Sequence, residues 1–208
     1  MADLKIYECY TEENEKTLTL EVWASSTKYP DAKFYFEEYV PNYFWNIGAS
    51  SSGKYHPKFS QGMGGLVRHT KAVVLFCKEL MNLSTYAYMP EEYKDYAIMA
   101  CLFHDTMKYG MEYDTKDYAD HPWLASENVR KAWVEYFETP APELLLMAIK
   151  SHMGQWEKIK ANRPFTNLDR LVHMADYIAS RSFIDIPAVT EEWEQATAPL
   201  PSDDELPF

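Results

Sequence analysis

The chain has 208 residues, 47% of them apolar and 15% aromatic, so it can bury a full core and disorder throughout is excluded. Its formal net charge of −12 argues against a long nucleic acid as the main ligand, because duplex binding works by neutralising phosphates. Small anionic substrates remain open, since a local basic pocket can sit within an acidic protein.

No apolar run reaches bilayer-spanning length, and "MADLKIYECYTEEN" has neither a basic n-region nor an apolar h-region. No membrane contact and a cytoplasmic location are therefore expected. Cys9, Cys77 and Cys101 are widely spaced without a CxxC, which argues against a disulfide scaffold or a zinc finger. Cys77 and Cys101 lie in apolar stretches and read as buried thiols.

Taken in chain order, "TLTLEVW" within residues 4–25 alternates in a way that fits a strand or part of a helix, and a hairpin is favoured. Residues 31–47, "DAKFYFEEYVPNYFWNI", look helical with Pro41 as a break or kink. The aromatic set Phe34, Tyr35, Tyr43, Phe44 and Trp45 reads first as core and second as a base-stacking wall. "GASSSGKYHP" is a Gly/Ser loop whose Lys54 and His56, with backbone N–H groups, could cradle a phosphate. The P-loop spacing is missing, so a plain polar connector is the competing reading.

Helical periodicity follows. "GGLVRHTKAVVLFCKEL" sets Leu66, His69, Val73, Phe76 and Leu80 on one face, and "EEYKDYAIMACLFHD" does so with Ala97, Ile98, Cys101, Leu102 and Asp105. "HPWLASENVRKAWVEYF" carries Pro122 at a plausible first helical position. "PELLLMAIKSHM" places Leu145, Ala148, Ile149 and His152 on one stripe. "TNLDRLVHMADYIASR" opens with Thr166 as N-cap and Asp169 in the first turn. From about Ile186 the chain turns Pro-rich and acidic. The expected class is mostly α, with room for a short N-terminal β-hairpin.

Four of these helices carry His69, His104 with Asp105, His152, or Asp176 at an end or at the edge of the apolar face, and His121 precedes the Pro of a fifth. Each could be a satisfied structural polar group. Turned toward a common interior together, they would be costly unless paired, and metal ions would satisfy imidazole nitrogens and carboxylate oxygens at once. Arg68, beside His69, could meet phosphate or form an ion pair. His173, three residues before Asp176, fits either an outer support to a ligand or an ordinary half-buried histidine.

The ordered set "GGLVRHT", "LFHDTMKYG", "HPWLASENV", "IKSHMGQW" and "VHMADYIAS" resembles the HD-domain metal-dependent phosphohydrolases over about residues 62–182. The histidines between the His-Asp pair and the last Asp are similar to the dinuclear branch. "KYHPKFSQGMGGLVRHT" with "SHMGQ" is most similar to the HD domain of a bacterial 3′→5′ exoribonuclease family, with Met153 where that family has a second His.

The resemblance implies an HD-domain helical bundle over residues 49–185, with 1–48 as an extension packing on it and 186–208 as a tail. It implies that His69, His104, Asp105 and Asp176 hold one divalent metal and His121 and His152 the second, with Asp105 bridging. The metals would be drawn from Mn, Fe, Co, Ni, Zn or Mg. A metal-bound hydroxide would attack a phosphoester of a nucleotide or short oligonucleotide, with Asp105 and Lys108 as the catalytic pair. Lys54, His56 and Arg68 are the candidate substrate contacts. Two rival readings stand beside this one: an HD-fold di-iron oxygenase, which uses the same ligand set, and a non-catalytic nucleotide-binding regulator, against which the complete ligand set argues. Finally, "DDELPF" (Asp203 to Phe208) resembles the acidic C-terminal tip of bacterial single-stranded-DNA-binding proteins, which implies a protein partner with an apolar pocket and a basic rim.

Overall fold

The stretch from Asp95 to Phe103 is buried at every residue, and a helix that is enclosed on all sides belongs at the centre of a domain. A computed structural model places it there and describes residues 3–11, 16–24, 33–50, 56–114 and 118–186, the two strands and residues 33, 34 and 37 by backbone alone. Lys54, the Phe34 side chain and the acidic tip at 203–208 lie outside the described residues.

The elements in chain order are β1 (Asp3–Thr11), β2 (Lys16–Ala24), α1 (Lys33–Glu38), α2 (Gly65–Leu80), α3 (Glu91–Phe103), α4 (His121–Phe137), α5 (Glu143–Ser151) and α6 (Asn167–Ala179). The strands form the expected hairpin, antiparallel in register from Asp3 opposite Ala24 to Thr11 opposite Lys16. Helix α3 packs against α2, α5 and α6, while α4 docks on α5. The class is mostly α, as the periodicity predicts.

Pro41 ends the helical reading of residues 31–47: α1 stops at Glu38, and a short 3-10 turn covers Asn42–Trp45. Of the aromatic set, Tyr35 and Phe44 are buried and Tyr43 and Trp45 half-buried, which favours its core reading. The Tyr35 hydroxyl lies 3.0 Å from Thr106 Oγ1 and accepts from Asn128 Nδ2, so α1 is joined to both the turn after α3 and to α4.

The approach to α2 is unusually close. A Cβ on Gly65 would stand 2.3 Å from the Ser60 carbonyl oxygen, so only glycine lets the preceding turn lie against the helix start. Arg68 straps that turn down: its guanidinium donates to the carbonyls of Phe59, Gln61 and Met63. These bonds fix the segment that carries His56.

Helix α6 starts as its sequence suggests. Thr166 Oγ1 accepts from the Asp169 N–H, and the Asp169 carboxylate accepts from the Thr166 N–H, a reciprocal cap. Thr166→Ala should therefore cost about 1 kcal/mol. The expected readout is a lower urea midpoint with an unchanged m-value.

Candidate metal centre

His104 and His152 are the C-cap residues of α3 and α5. The last carbonyls of a helix lack intrahelical partners, so a cap histidine can donate its Nδ1–H backwards into one. His104 Nδ1 lies 2.8 Å from the Cys101 carbonyl oxygen, and His152 Nδ1 lies 2.7 Å from that of Ile149. His121, at the start of α4, repeats the device on the Tyr118 carbonyl at 2.6 Å. In all three the hydrogen-bonded Nδ1 carries the proton and Nε2 is left as a bare lone pair.

Those lone pairs converge. His69, His104 and Asp176 present ligand atoms within 4.8 Å of one another, and Asp105, His121 and His152 do the same. Asp105 faces both groups. Its Oδ1 lies 3.1 Å from His121 Nε2 and 3.7 Å from His152 Nε2. Its Oδ2 lies 3.6 Å from His104 Nε2 and 4.0 Å from His69 Nε2. His69 Nε2 also meets Asp176 Oδ1 at 3.1 Å.

The donor set fits divalent metal ions on physical grounds. His104 Nε2 is buried without a hydrogen-bond partner, facing Asp176 Oδ1 at 3.8 Å as well as Asp105. His121 Nε2 and His152 Nε2 stand 3.1 Å apart, although each ring has its proton on the other nitrogen. Two lone pairs at that distance repel unless a cation sits against them. A proton is disfavoured: burial, then His104 and His121, pulls His152 down to about 3. Burial also lowers His104, against the pull of both aspartates.

Burial alone would raise the Asp105 carboxyl, but the Lys108 ammonium outweighs it and holds it well below the usual carboxylate range. Asp176 is likewise held low, its burial overcome by the hydrogen bond from His69. Lys108 is buried, with Nζ 2.5 Å from Asp105 Oδ2. Burial disfavours its charge, yet Asp105 and Tyr118 prevail and raise it above its ordinary value, so it stays an ammonium.

His56 sits half-buried beside His69, ring centroids 5.5 Å apart, with its buried Nδ1 unpartnered. Burial, then His69 and Lys108, pulls it down to about 3. Arg68 is close in sequence, but its donors go to the three loop carbonyls. These bonds from Nε and Nη2 position the His56 segment.

The sequence singles out His173 as a residue of uncertain use, and its bond explains it. His173 Nδ1 lies 2.7 Å from the His152 carbonyl oxygen, holding the turn that presents His152. A Cβ on Gly154, whose φ is +59°, would stand 2.0 Å from the His173 ring. Glycine is required there twice over, for backbone and for space. The i−3 spacing from Asp176 was the available signal for His173; the glycine gave none. All six histidines of the chain lie in or beside this site.

The HD domain family model matches residues 66–181, more than half of the chain, and spans five of the six candidate helices and every candidate ligand. The chain belongs to the HD-domain family, a superfamily of metal-dependent phosphohydrolases. No curated protein and no solved structure matches it. Among the described residues no helix is long and apolar enough to cross a membrane.

The electrostatics set a pH trend for metal-free protein. His152 and His56 stay neutral in the folded chain down to about 3, whereas unfolded imidazoles take up protons near 6.5. The unfolded state binds more protons throughout that window, so stability falls as pH drops from about 6.5 towards 3. In chelator, Tm should decrease from about pH 7 to about pH 5.5, and His152→Asn should flatten the slope. Equal slopes for the two proteins would contradict the assignment of His152 as a buried neutral imidazole.

Proposed function

We propose that this chain is a dinuclear metal-dependent phosphohydrolase acting on a phosphoester of a nucleotide or short oligonucleotide. The observation that carries the reading is Asp105, which turns one carboxylate oxygen toward each of two ligand groups. His69, His104, Asp176 and Asp105 Oδ2 would hold one divalent ion; His121, His152 and Asp105 Oδ1 would hold the other. Bound together, such ions lower the pKa of a water and polarise the oxygens of a phosphoryl group.

The remaining work falls to the protein's own groups. Lys108 is kept charged in a buried position beside Asp105, so its ammonium can meet an equatorial phosphoryl oxygen as negative charge develops there. The contact needs no reorganisation at the moment of reaction, because Asp105 and the Tyr118 ring, 5.8 Å from Nζ, already hold the side chain. His56 is neutral and offers its unpartnered Nδ1 at the edge of the His69 side. With Lys54 it would position the substrate phosphate, while Arg68 would act indirectly by holding the His56 segment.

Two substitutions separate metal binding from chemistry. Wild-type protein should carry two transition-metal ions per chain, and Asp105→Ala should lose most of both along with activity. Full metal content and activity in Asp105→Ala would remove the bridging assignment. Lys108→Ala should keep its metals while kcat on a dinucleotide or bis(p-nitrophenyl) phosphate falls roughly ten-fold or more. An unchanged kcat would make Lys108 only a structural counter-charge to Asp105.

A further inference from the structure

A cleft of about 630 Å³ opens beside the His121/His152 half of the site. Its wall includes Tyr118, whose carbonyl takes the His121 Nδ1–H and whose ring stands 5.4 Å from the His121 ring. It also includes Pro122 and Met153, the residues that follow His121 and His152. The cleft therefore lies next to the residues that present His121 and His152.

The lining is aromatic where water would be expected to meet polar groups. Trp123 is 50% exposed and Trp156 is 49% exposed, and Tyr118 is similarly open. Large half-exposed rings gathered in one concavity mark a binding surface. Trp156 is held in place, stacked on Tyr177 at 5.6 Å with the Arg181 guanidinium also over its ring. Trp123 makes no ring contact among the described residues. Lys150 and Lys158 reach the same cleft and have no carboxylate partner among the described residues, which stands out in a chain of net charge −12. On the same wall the Glu157 carboxylate accepts the Ile159 N–H, and Asp120 also lines the cleft.

We infer that this cleft is the base subsite of the enzyme: a nucleobase of the substrate stacks on Trp123 and Trp156, and Lys150 and Lys158 meet a phosphate of the same nucleotide. The volume is ample for a nucleoside, within the range of small-ligand sites. Stacking on aromatic rings tolerates any base, because each has a π-face, so selectivity among bases is expected to be shallow. A fixed Trp156 lowers the ordering cost of binding. The identity of the phosphate end rests on the phosphohydrolase reading above; the stacking end does not.

The test uses full-length, metal-loaded protein and the phosphonate analogues of nucleoside 5′-phosphates, in which a P–C bond replaces the scissile P–O bond and turnover is blocked. Calorimetric titration should give saturable binding for all four bases, and at least ten-fold weaker binding for ribose 5-phosphate, which lacks a base. Trp123→Ala should raise Kd at least ten-fold, about 1.4 kcal/mol. Trp123→Phe should restore most of the affinity, which a merely structural role for Trp123 would not require. Removing both lysines, Lys150→Ala with Lys158→Ala, should weaken binding of the matching nucleoside 5′-diphosphate analogues, which carry a second phosphate beyond the one at the metals, and reduce its salt dependence.

Equal Kd values for the nucleoside phosphonates and ribose 5-phosphate would overturn the inference, as would wild-type affinity in Trp123→Ala. Its failure is distinct from that of the catalytic reading. Base-dependent binding through Trp123 without hydrolysis of any phosphoester would uphold the subsite and remove the phosphohydrolase. Hydrolysis without base-dependent binding would do the reverse.

Discussion

Everything at the site depends on three hydrogen bonds that hold no metal at all. The carbonyls of Cys101, Tyr118 and Ile149 each take the Nδ1–H of a histidine three residues on, and so decide which nitrogen is bare. Two of these carbonyls belong to the last turns of helices, where backbone acceptors go begging. A helix end thus settles a tautomer, and the tautomer settles a ligand. Without these bonds the rings could turn or exchange protons, and the five-helix scaffold would deliver imidazoles of the wrong polarity.

The converging lone pairs and carboxylates would be costly in a dry interior. The chain meets part of that cost itself. Lys108, three residues beyond Asp105, supplies one buried positive charge at 2.5 Å. The close approaches around the site serve the same end. Gly65 lets the His56 segment lie against α2, and Gly154 lets His173 press on the turn that presents His152. Rigidity is imposed from the supports inward, so the ligand rings have little freedom of their own.

Much of this was legible from sequence because helix periodicity and helix ends are local. The stripes ending in Asp105 and His152 put the His-Asp pair and His152 at helix ends, and Thr166 as N-cap with Asp169 in the first turn marks the start of the helix that carries Asp176. Pro41 was visible as a break, though not that a short 3-10 turn would follow. What local pattern could not give was partnership across the fold. Nothing in the local pattern around Arg68 shows that its Nε and Nη2 donate to the carbonyls of Phe59, Gln61 and Met63. The Trp123 and Trp156 cleft is assembled from two separated stretches, 118–123 and 150–162, with no common spacing. Gly154 reads as an ordinary turn residue until the His173 ring is placed against it.

The candidate ligands are also far apart along the chain. His69 and Asp176 are separated by 107 residues, and the remaining ligands come from the segments between them. An unfolded chain would have to close loops of that size to offer more than one or two donors to the same ion, at a substantial entropic cost. Ions that bind here would therefore bind the folded chain almost exclusively, and folding and loading become a single linked equilibrium. Apparent stability then grows with the logarithm of the free metal concentration. The protein's lifetime in a cell would then follow metal supply.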